Sequence, residues 1–164
     1  MQKVTDIYPP EISKTKLETL FAGNQVMLDA IRKMSKSNMC VFAALCDGYV
    51  ITTTGYTIAA DLCVNRASAV SHSLKQKNLP ISSRGVPTKA DVGGAVKQAA
   101  FFVSNDDLVR LKTEPEKVMK ECERDLNSKK RSSAQKEMIR LYREFGEEGV
   151  LTLLKNVPGR TLDS

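Results

Sequence analysis

The side chains best suited to molecular recognition lie in residues 65–77, where polar and cationic residues recur at helical spacing. On a helix over 67–77, Ala67, Val70 and Leu74 turn inward together, and the residues that face outward are Ser68, Ala69, His72, Lys75 and Gln76. Small polar and cationic side chains on such a face can enter the major groove of DNA and reach base edges. The residues of this segment that we predict to contact DNA are Asn65, Arg66, Ser68, His72, Lys75, Gln76 and Lys77.

Catalytic and metal-binding chemistry has little support in the sequence. His72 is the only histidine, and no carboxylate or nucleophile has a spacing that points to it. It is therefore either a groove-facing polar residue or an incidental surface side chain. The four cysteines lack the close spacing of a zinc or redox site, which favours reduced thiols in the core. We expect no enzyme activity, no catalytic residue, no bound metal and no cofactor.

The positive charge of the chain is concentrated in its middle. The net charge is +6, and residues 55–98 hold six cations against two carboxylates, a net of +4. Residues 104–148 hold eleven cations and eleven carboxylates, which cancel. An uncompensated basic segment favours a polyanionic partner such as nucleic acid. The cations beyond the helix that we predict to contact DNA are Arg84, Lys89 and Lys97.

Hydrophobic periodicity and breaking residues predict a mainly helical N-terminal part. The proline-containing residues 1–14 are typical of an extended arm, and a helix is predicted over about 15–34. A very apolar helix over 39–46 then precedes a short β-prone segment at 49–52.

The central segment has the order of elements found in a winged helix–turn–helix. Helices are predicted over 56–62 and 67–77 with a turn between them, and strands over 79–83 and 96–103 form a hairpin with a polar tip. Apolar anchors on both sides of the turn, with a small residue where the helices cross, support this order. They are Ile58, Leu62, Val64, Val70 and Leu74, with Ala59 or Ala60 at the crossing.

Residues 74–81 have the sequence Leu-Lys-Gln-Lys-Asn-Leu-Pro-Ile. Together with Arg66 and the apolar end of the second wing strand at 100–103, this motif resembles a winged helix–turn–helix family of bacteriophage and mobile-element proteins. The resemblance covers about 39–103. Asn78 stands where the family usually has glycine, a mild departure because asparagine also tolerates a left-handed turn. The resemblance implies double-stranded DNA binding in the control of transcription or replication of a phage-like element.

Three capped helices are predicted after the hairpin, opened by Ser104, Thr113 and Ser132, with the last two ending near 126 and 145. The last helix carries an apolar stripe that we expect to bind a partner. The stripe residues concerned are Met138, Leu141, Tyr142 and Phe145. Two interpretations stay open, since the stripe could also pack on the chain's own core.

These patterns predict a mainly α protein with a small β wing, a winged helix–turn–helix with N- and C-terminal helical extensions. The expected divisions are an arm and helix over 1–38, a DNA-binding domain over 39–112 and an oligomerisation or partner-docking segment over 113–164. We expect double-stranded DNA as partner, a homodimer or higher oligomer, no membrane segment and a cytoplasmic location. The alternative is a non-catalytic adaptor or inhibitor that binds a host protein through its helical extensions.

Overall fold

A computed structural model of the chain describes residues 1–89 and 95–157, except for the side chains of residues 89 and 95. The protein is mostly helical with one small five-stranded sheet, which confirms the predicted class of a mainly α protein with a small β part. Two compact units are present, Met1–Glu123 and Arg124–Ser164.

The described residues form seven helices and five strands. The helices are α1 (Val4–Ile7), α2 (Pro10–Leu20), α3 (Gln25–Arg32), α4 (Lys36–Cys46), α5 (Ala67–Gln76), α6 (Asn105–Thr113) and α7 (Pro115–Lys155). The strands are β1 (Gln2–Lys3), β2 (Ile51–Thr53), β3 (Leu62–Val64), β4 (Ser82–Lys89) and β5 (Ala95–Phe102). In the sheet they lie in the order β1-β3-β2-β5-β4.

Helix α4 forms the centre of the first unit because its sequence from 39 to 46 is entirely apolar. Every residue of α4 from 40 to 46 is buried. Helices α2 and α5 pack against it, and the rings of Phe21 and Phe42 stack with their centroids 6.1 Å apart. The segments 1–38 and 39–112 therefore contribute to one hydrophobic core.

Strand β2 joins the two halves of the sheet. It pairs parallel with β3, where Ile51 lies beside Leu62, and antiparallel with β5, where Ile51 lies beside Phe101. All three side chains are buried. The hydroxyl of Thr52, itself fully buried, donates a hydrogen bond to the carbonyl of Ala99. The inner end of the β4–β5 hairpin is thereby fixed to the core.

The prediction of a helix over 56–62 is wrong. This helix was expected to be the first of the helix–turn–helix. Residues 54–61 form turns and bends, and Leu62–Val64 is the strand β3 rather than part of a helix and turn. The amide of Asp61 donates to the carbonyl of Val50 over 2.9 Å, and its carboxylate accepts from the Val50 amide over 2.7 Å. This long-range pairing holds β3 extended beside β2 and overrides the helix preference of the local sequence.

The N-terminal residues are also helical rather than an extended arm. Helix α2 begins at Pro10, where proline is favourable because the first helical N–H needs no partner. Val4 of α1 is fully buried. The single helix predicted over 15–34 is wrong, because Gly23 takes a left-handed φ of 87° and the Asn24 side chain caps a new helix.

The C-terminal helix boundaries were predicted in part. Ser104 caps α6 as expected, accepting a hydrogen bond from a backbone N–H of the first turn. The predicted helix starts at Thr113 and Ser132 are wrong. Helix α7 begins at Pro115, and it continues past Ser132 because the surrounding residues are good helix formers. The predicted end of the last helix is confirmed at Gly146, which leaves helical geometry with φ 69° and ψ 179°.

A polar cluster joins α1, α2 and the end of α4. The Tyr8 hydroxyl donates to Asp47, and Lys16 Nζ lies 2.8 Å from the same carboxylate. Burial alone would raise the pKa of Asp47, but hydrogen bonds from Lys16 and Tyr8 lower it overall. Burial and the hydrogen bond to Asp47 raise the pKa of Tyr8. These opposite shifts describe a charged carboxylate held by a neutral phenol and an ammonium group.

Cys40, Cys46 and Cys63 are free thiols. All three are buried, and Cys122 is half-buried. Burial raises the pKa of Cys46 to about 12. The described residues bring no three histidine, cysteine or acidic side chains close enough to hold a metal ion. In the same part of the chain, no helix combines the length and the apolar content that crossing a membrane requires.

Candidate nucleic-acid interface

Helix α5 confirms the helix predicted over 67–77, and its two faces differ sharply in exposure. Its inner face packs against α4 and the sheet. The buried residues of this face are Ala67, Ser71 and Leu74, with Val70 half-buried. The outer face exposes Ser68, Ala69, His72 and Gln76. The side chains predicted to contact bases therefore lie together on one accessible surface.

The start of α5 has an uncommon backbone geometry. Arg66, the residue before the helix, is left-handed with φ 56° and ψ 45°, and its side chain makes no capping hydrogen bond. Arg66 and Asn65 are both exposed. The first N–H groups of an α-helix lack partners within the helix and attract anions. A cationic and an amide side chain thus stand at the end of α5 that favours negative charge.

The end of α5 is fixed by the residues that carry the family-like motif. Asn78 has a left-handed φ of 63°, and its amide donates to the carbonyl of Lys75. The Leu79 amide donates to the carbonyl of Leu74, and both leucine side chains are buried. This pattern is a Schellman motif, in which the left-handed residue is usually glycine or asparagine. Asn78 therefore adopts the left-handed conformation expected at this position of the motif.

Two side-chain contacts connect the α5 region to the preceding helices, and no sequence pattern predicted either of them. Asn38 Nδ2 of α4 donates to Ser73 Oγ over 2.8 Å. Lys77 Nζ donates to the carbonyl of Lys33 over 3.4 Å. The partners are 35 and 44 residues apart, so no local spacing relates them. Asn38 is buried while its serine partner is half-buried, so the contact borders the outer face of α5.

The β4–β5 hairpin lies where a hairpin was predicted, although β4 begins at Ser82 rather than at 79. Arg84 and Lys97 are exposed on it. The guanidinium carbon of Arg84 lies 5.7 Å from the centroid of the Phe102 ring, a cation–π contact that orients the side chain. The Lys97 stem lies across Gly85, where an added Cβ would meet Lys97 Cδ at 3.5 Å. The predicted contact Lys89 lies outside the described side chains.

The cations of this surface are not neutralised by described neighbours. None of the ion pairs among the described residues involves Arg66, Lys75, Lys77, Arg84 or Lys97. The sequence gives the reason, since no carboxylate lies between Asp61 and Asp91. Lys75 and Lys77 are half-buried, whereas the other three are exposed. The uncompensated charge predicted from the sequence is thus spread over α5 and the hairpin.

The second unit carries the residues predicted to bind a partner. Met138, Tyr142 and Phe145 are exposed by 43%, 57% and 52%, and Leu141 is half-buried. They lie on the part of α7 that precedes Gly146. Large apolar side chains that stay this exposed at helical spacing are typical of an interaction surface.

Comparison of the chain with protein-family models, curated proteins and solved structures found no match.

Proposed function

We propose that the first unit binds double-stranded DNA, with α5 in the major groove and the β4–β5 hairpin against the phosphate backbone. The observation that carries this proposal is the division of α5 into a buried face and an exposed polar face. The exposed side chains are small or form hydrogen bonds, and no carboxylate between 62 and 90 repels phosphate.

The order of elements supports the same proposal. The helices α4 and α5 and the strands β2, β4 and β5 follow one another as in a winged helix, with turns and β3 in place of the middle helix. Such a module needs its recognition helix held firmly, because base edges are read by hydrogen bonds of defined geometry. The Schellman end of α5 and the Asn38–Ser73 hydrogen bond provide this support.

Affinity and discrimination have different sources in this proposal. Phosphate contacts from Arg66, Lys75, Arg84, Lys89 and Lys97 provide most of the affinity, because they release condensed counterions from the duplex. Hydrogen bonds from Ser68, His72 and Gln76 to base edges provide most of the discrimination. The cellular role we propose is control of transcription or replication in a phage-like or mobile element, which the resemblance of 39–103 suggests.

The salt dependence of duplex binding by the full-length protein tests the proposal. Six cations lie on α5, its ends and the hairpin. If they contact four to six phosphates, the log–log plot of affinity against salt has a slope of roughly −4 to −5 per protomer. A slope near zero, or no binding at low salt, overturns the proposal.

A second candidate function rests on the exposed stripe of the second unit. We propose that it joins two copies of the chain, because one winged module covers few base pairs and dimers read two half-sites about one helical turn apart. If the stripe instead serves a non-catalytic adaptor or inhibitor, it binds a host protein and DNA binding is dispensable. A gel-shift assay on duplex DNA separates these functions, since an adaptor produces no shift.

A further inference from the structure

We propose that the DNA-binding surface extends beyond α5 to Lys33 and Lys36, which contact the phosphate backbone along one edge of the helix. This inference rests on the proposed function and adds contacts that residue spacing did not suggest. Both lysines are exposed, and they flank the short connection between α3 and α4.

The link between these lysines and α5 is structural. Ser73 and Lys77 are four residues apart, so they lie on the same side of α5. Each contacts the α3–α4 region: the serine receives the hydrogen bond of Asn38, and the ammonium group donates to the carbonyl of Lys33. The edge of α5 that carries Ser73 and Lys77 therefore borders the connection that carries Lys33 and Lys36.

The two edges of α5 can be assigned from helical geometry. At about 100° per residue, His72 and Gln76 lie near the middle of the outer face. On the same projection, Ser68 and Lys75 lie towards one edge, and Ser73 and Lys77 towards the other. A major groove has a phosphate backbone on each side, so a helix inside it needs cations along both edges. Lys33 and Lys36 extend the second edge.

Because residues 56–61 form no helix, a phosphate-backbone contact made by that helix in a helix–turn–helix is left for Lys33 and Lys36. In a helix–turn–helix, the helix before the recognition helix crosses the phosphate backbone. Here this stretch forms turns and bends and then enters β3. The α3–α4 connection is packed beside α5 and can take over the backbone contact with ammonium groups.

The local charges favour this contact. Asp29 is the nearest carboxylate along α3, and Arg32 Nη1 lies 3.2 Å from its Oδ1. Gln25 Nε2 donates to the same oxygen over 2.7 Å. No ion pair among the described residues involves Lys33 or Lys36. Their charges therefore remain available for phosphate.

The test compares two double variants of the full-length protein on a labelled mixed-sequence duplex of about two helical turns, near 21 base pairs. The first variant is K33Q/K36Q. The control is K14Q/K120Q, which removes the same charge from exposed positions of α2 and α7 within the first unit. Loss of two phosphate contacts should reduce the magnitude of the salt slope by about 2, and it should weaken binding roughly 50-fold near 0.1 M salt. The control should keep the wild-type slope, as should K33R/K36R.

The outcomes separate this inference from the proposed function. If the wild type binds with a steep slope and K33Q/K36Q matches K14Q/K120Q, the extension is wrong and the proposed function stands. Equal losses of slope in both variants also overturn it, because bulk charge then explains the effect. If the wild type binds no duplex, both proposals fail. Circular dichroism confirms that each variant is folded before its affinity is compared.

Discussion

Helix α5 and the stretch 127–140 of α7 both carry cations, but they differ in what surrounds them. One face of α5 is buried in the core of the first unit. Every residue from 127 to 140 is exposed. The orientation of the α5 side chains is thus set by packing, whereas this stretch of α7 depends on good helix formers and local pairs. Helical spacing alone therefore does not distinguish a helix whose outer face is oriented by core packing, such as α5, from a helix exposed on all sides, such as 127–140 of α7.

Two arginines of α6 and α7 form ion pairs with carboxylates. In α6 and α7, Arg110 binds Glu121 and Glu114, and these hydrogen bonds raise its pKa. Arg140 likewise lies 2.7 Å from Glu137. On α5 and the hairpin, no cation has a described carboxylate partner. The ability of a segment to bind a polyanion therefore depends less on its net charge than on whether each cation already has a carboxylate partner.

Truncating one apolar side chain in each region should give the largest contrast. Leu74→Ala removes a fully buried anchor of α5 and should lower the free energy of unfolding by about 2–5 kcal/mol. Ile139→Ala removes an exposed side chain of α7 that is not part of the stripe, so the change should stay within about 0.5 kcal/mol. Urea denaturation followed by circular dichroism measures both. Equal losses would mean that the second helix is as strongly packed as the first.

The next contrast lies within the first unit, between the outer face of α5 and the hairpin. Replacing Ser68, His72 or Gln76 by alanine should change which duplex is preferred, by about 1–3 kcal/mol per lost base contact. Replacing Arg84, Lys89 or Lys97 by glutamine should instead weaken all sequences alike, because phosphate contacts carry no sequence information. Binding to a randomised duplex library, sequenced before and after selection, measures both effects. If helix and hairpin variants behave identically, the groove assignment is wrong.

The elements that could be predicted from the sequence have local signals. The period of apolar residues defines α5, and Asn78 with Leu79 marks its end through a motif contained in a few residues. The Ser104 cap and the break at Gly146 are equally local. The outer face of α5 follows from the same period, so the exposure of its polar residues could be inferred before its surroundings were known.

The features that could not be predicted depend on contacts between distant residues. The strand β3 is held beside β2 by two hydrogen bonds between Asp61 and Val50, one between their backbones and one from the Val50 amide to the Asp61 carboxylate, although the intervening sequence has no strand period. The Asn38–Ser73 hydrogen bond joins residues 35 apart, and the place of Lys33 beside α5 depends on a backbone carbonyl. No spacing rule relates such pairs, so the packing of the α3–α4 connection beside α5 could not be predicted from the sequence.

The last contrast is between the stripe of the second unit, which we propose binds a second copy of the chain, and exposed apolar residues of the first unit. Combining Leu141→Glu with Phe145→Lys leaves the net charge unchanged but disrupts the stripe. We expect the protein to change from a dimer to a monomer and its DNA affinity to fall about tenfold, because the second half-site no longer benefits from a high effective concentration. Light scattering and gel-shift titration measure the two effects.

A matched control distinguishes the stripe from general surface hydrophobicity. Ile12 and Val109 of the first unit are exposed by 59% and 62%, at least as much as the stripe residues. Ile12→Glu combined with Val109→Lys should leave both mass and affinity unchanged, because isolated exposed apolar residues are ordinary on protein surfaces. A wild-type protein that is monomeric at all accessible concentrations would contradict the dimer. Equal effects of the two double variants would show that position on α7 has no special importance.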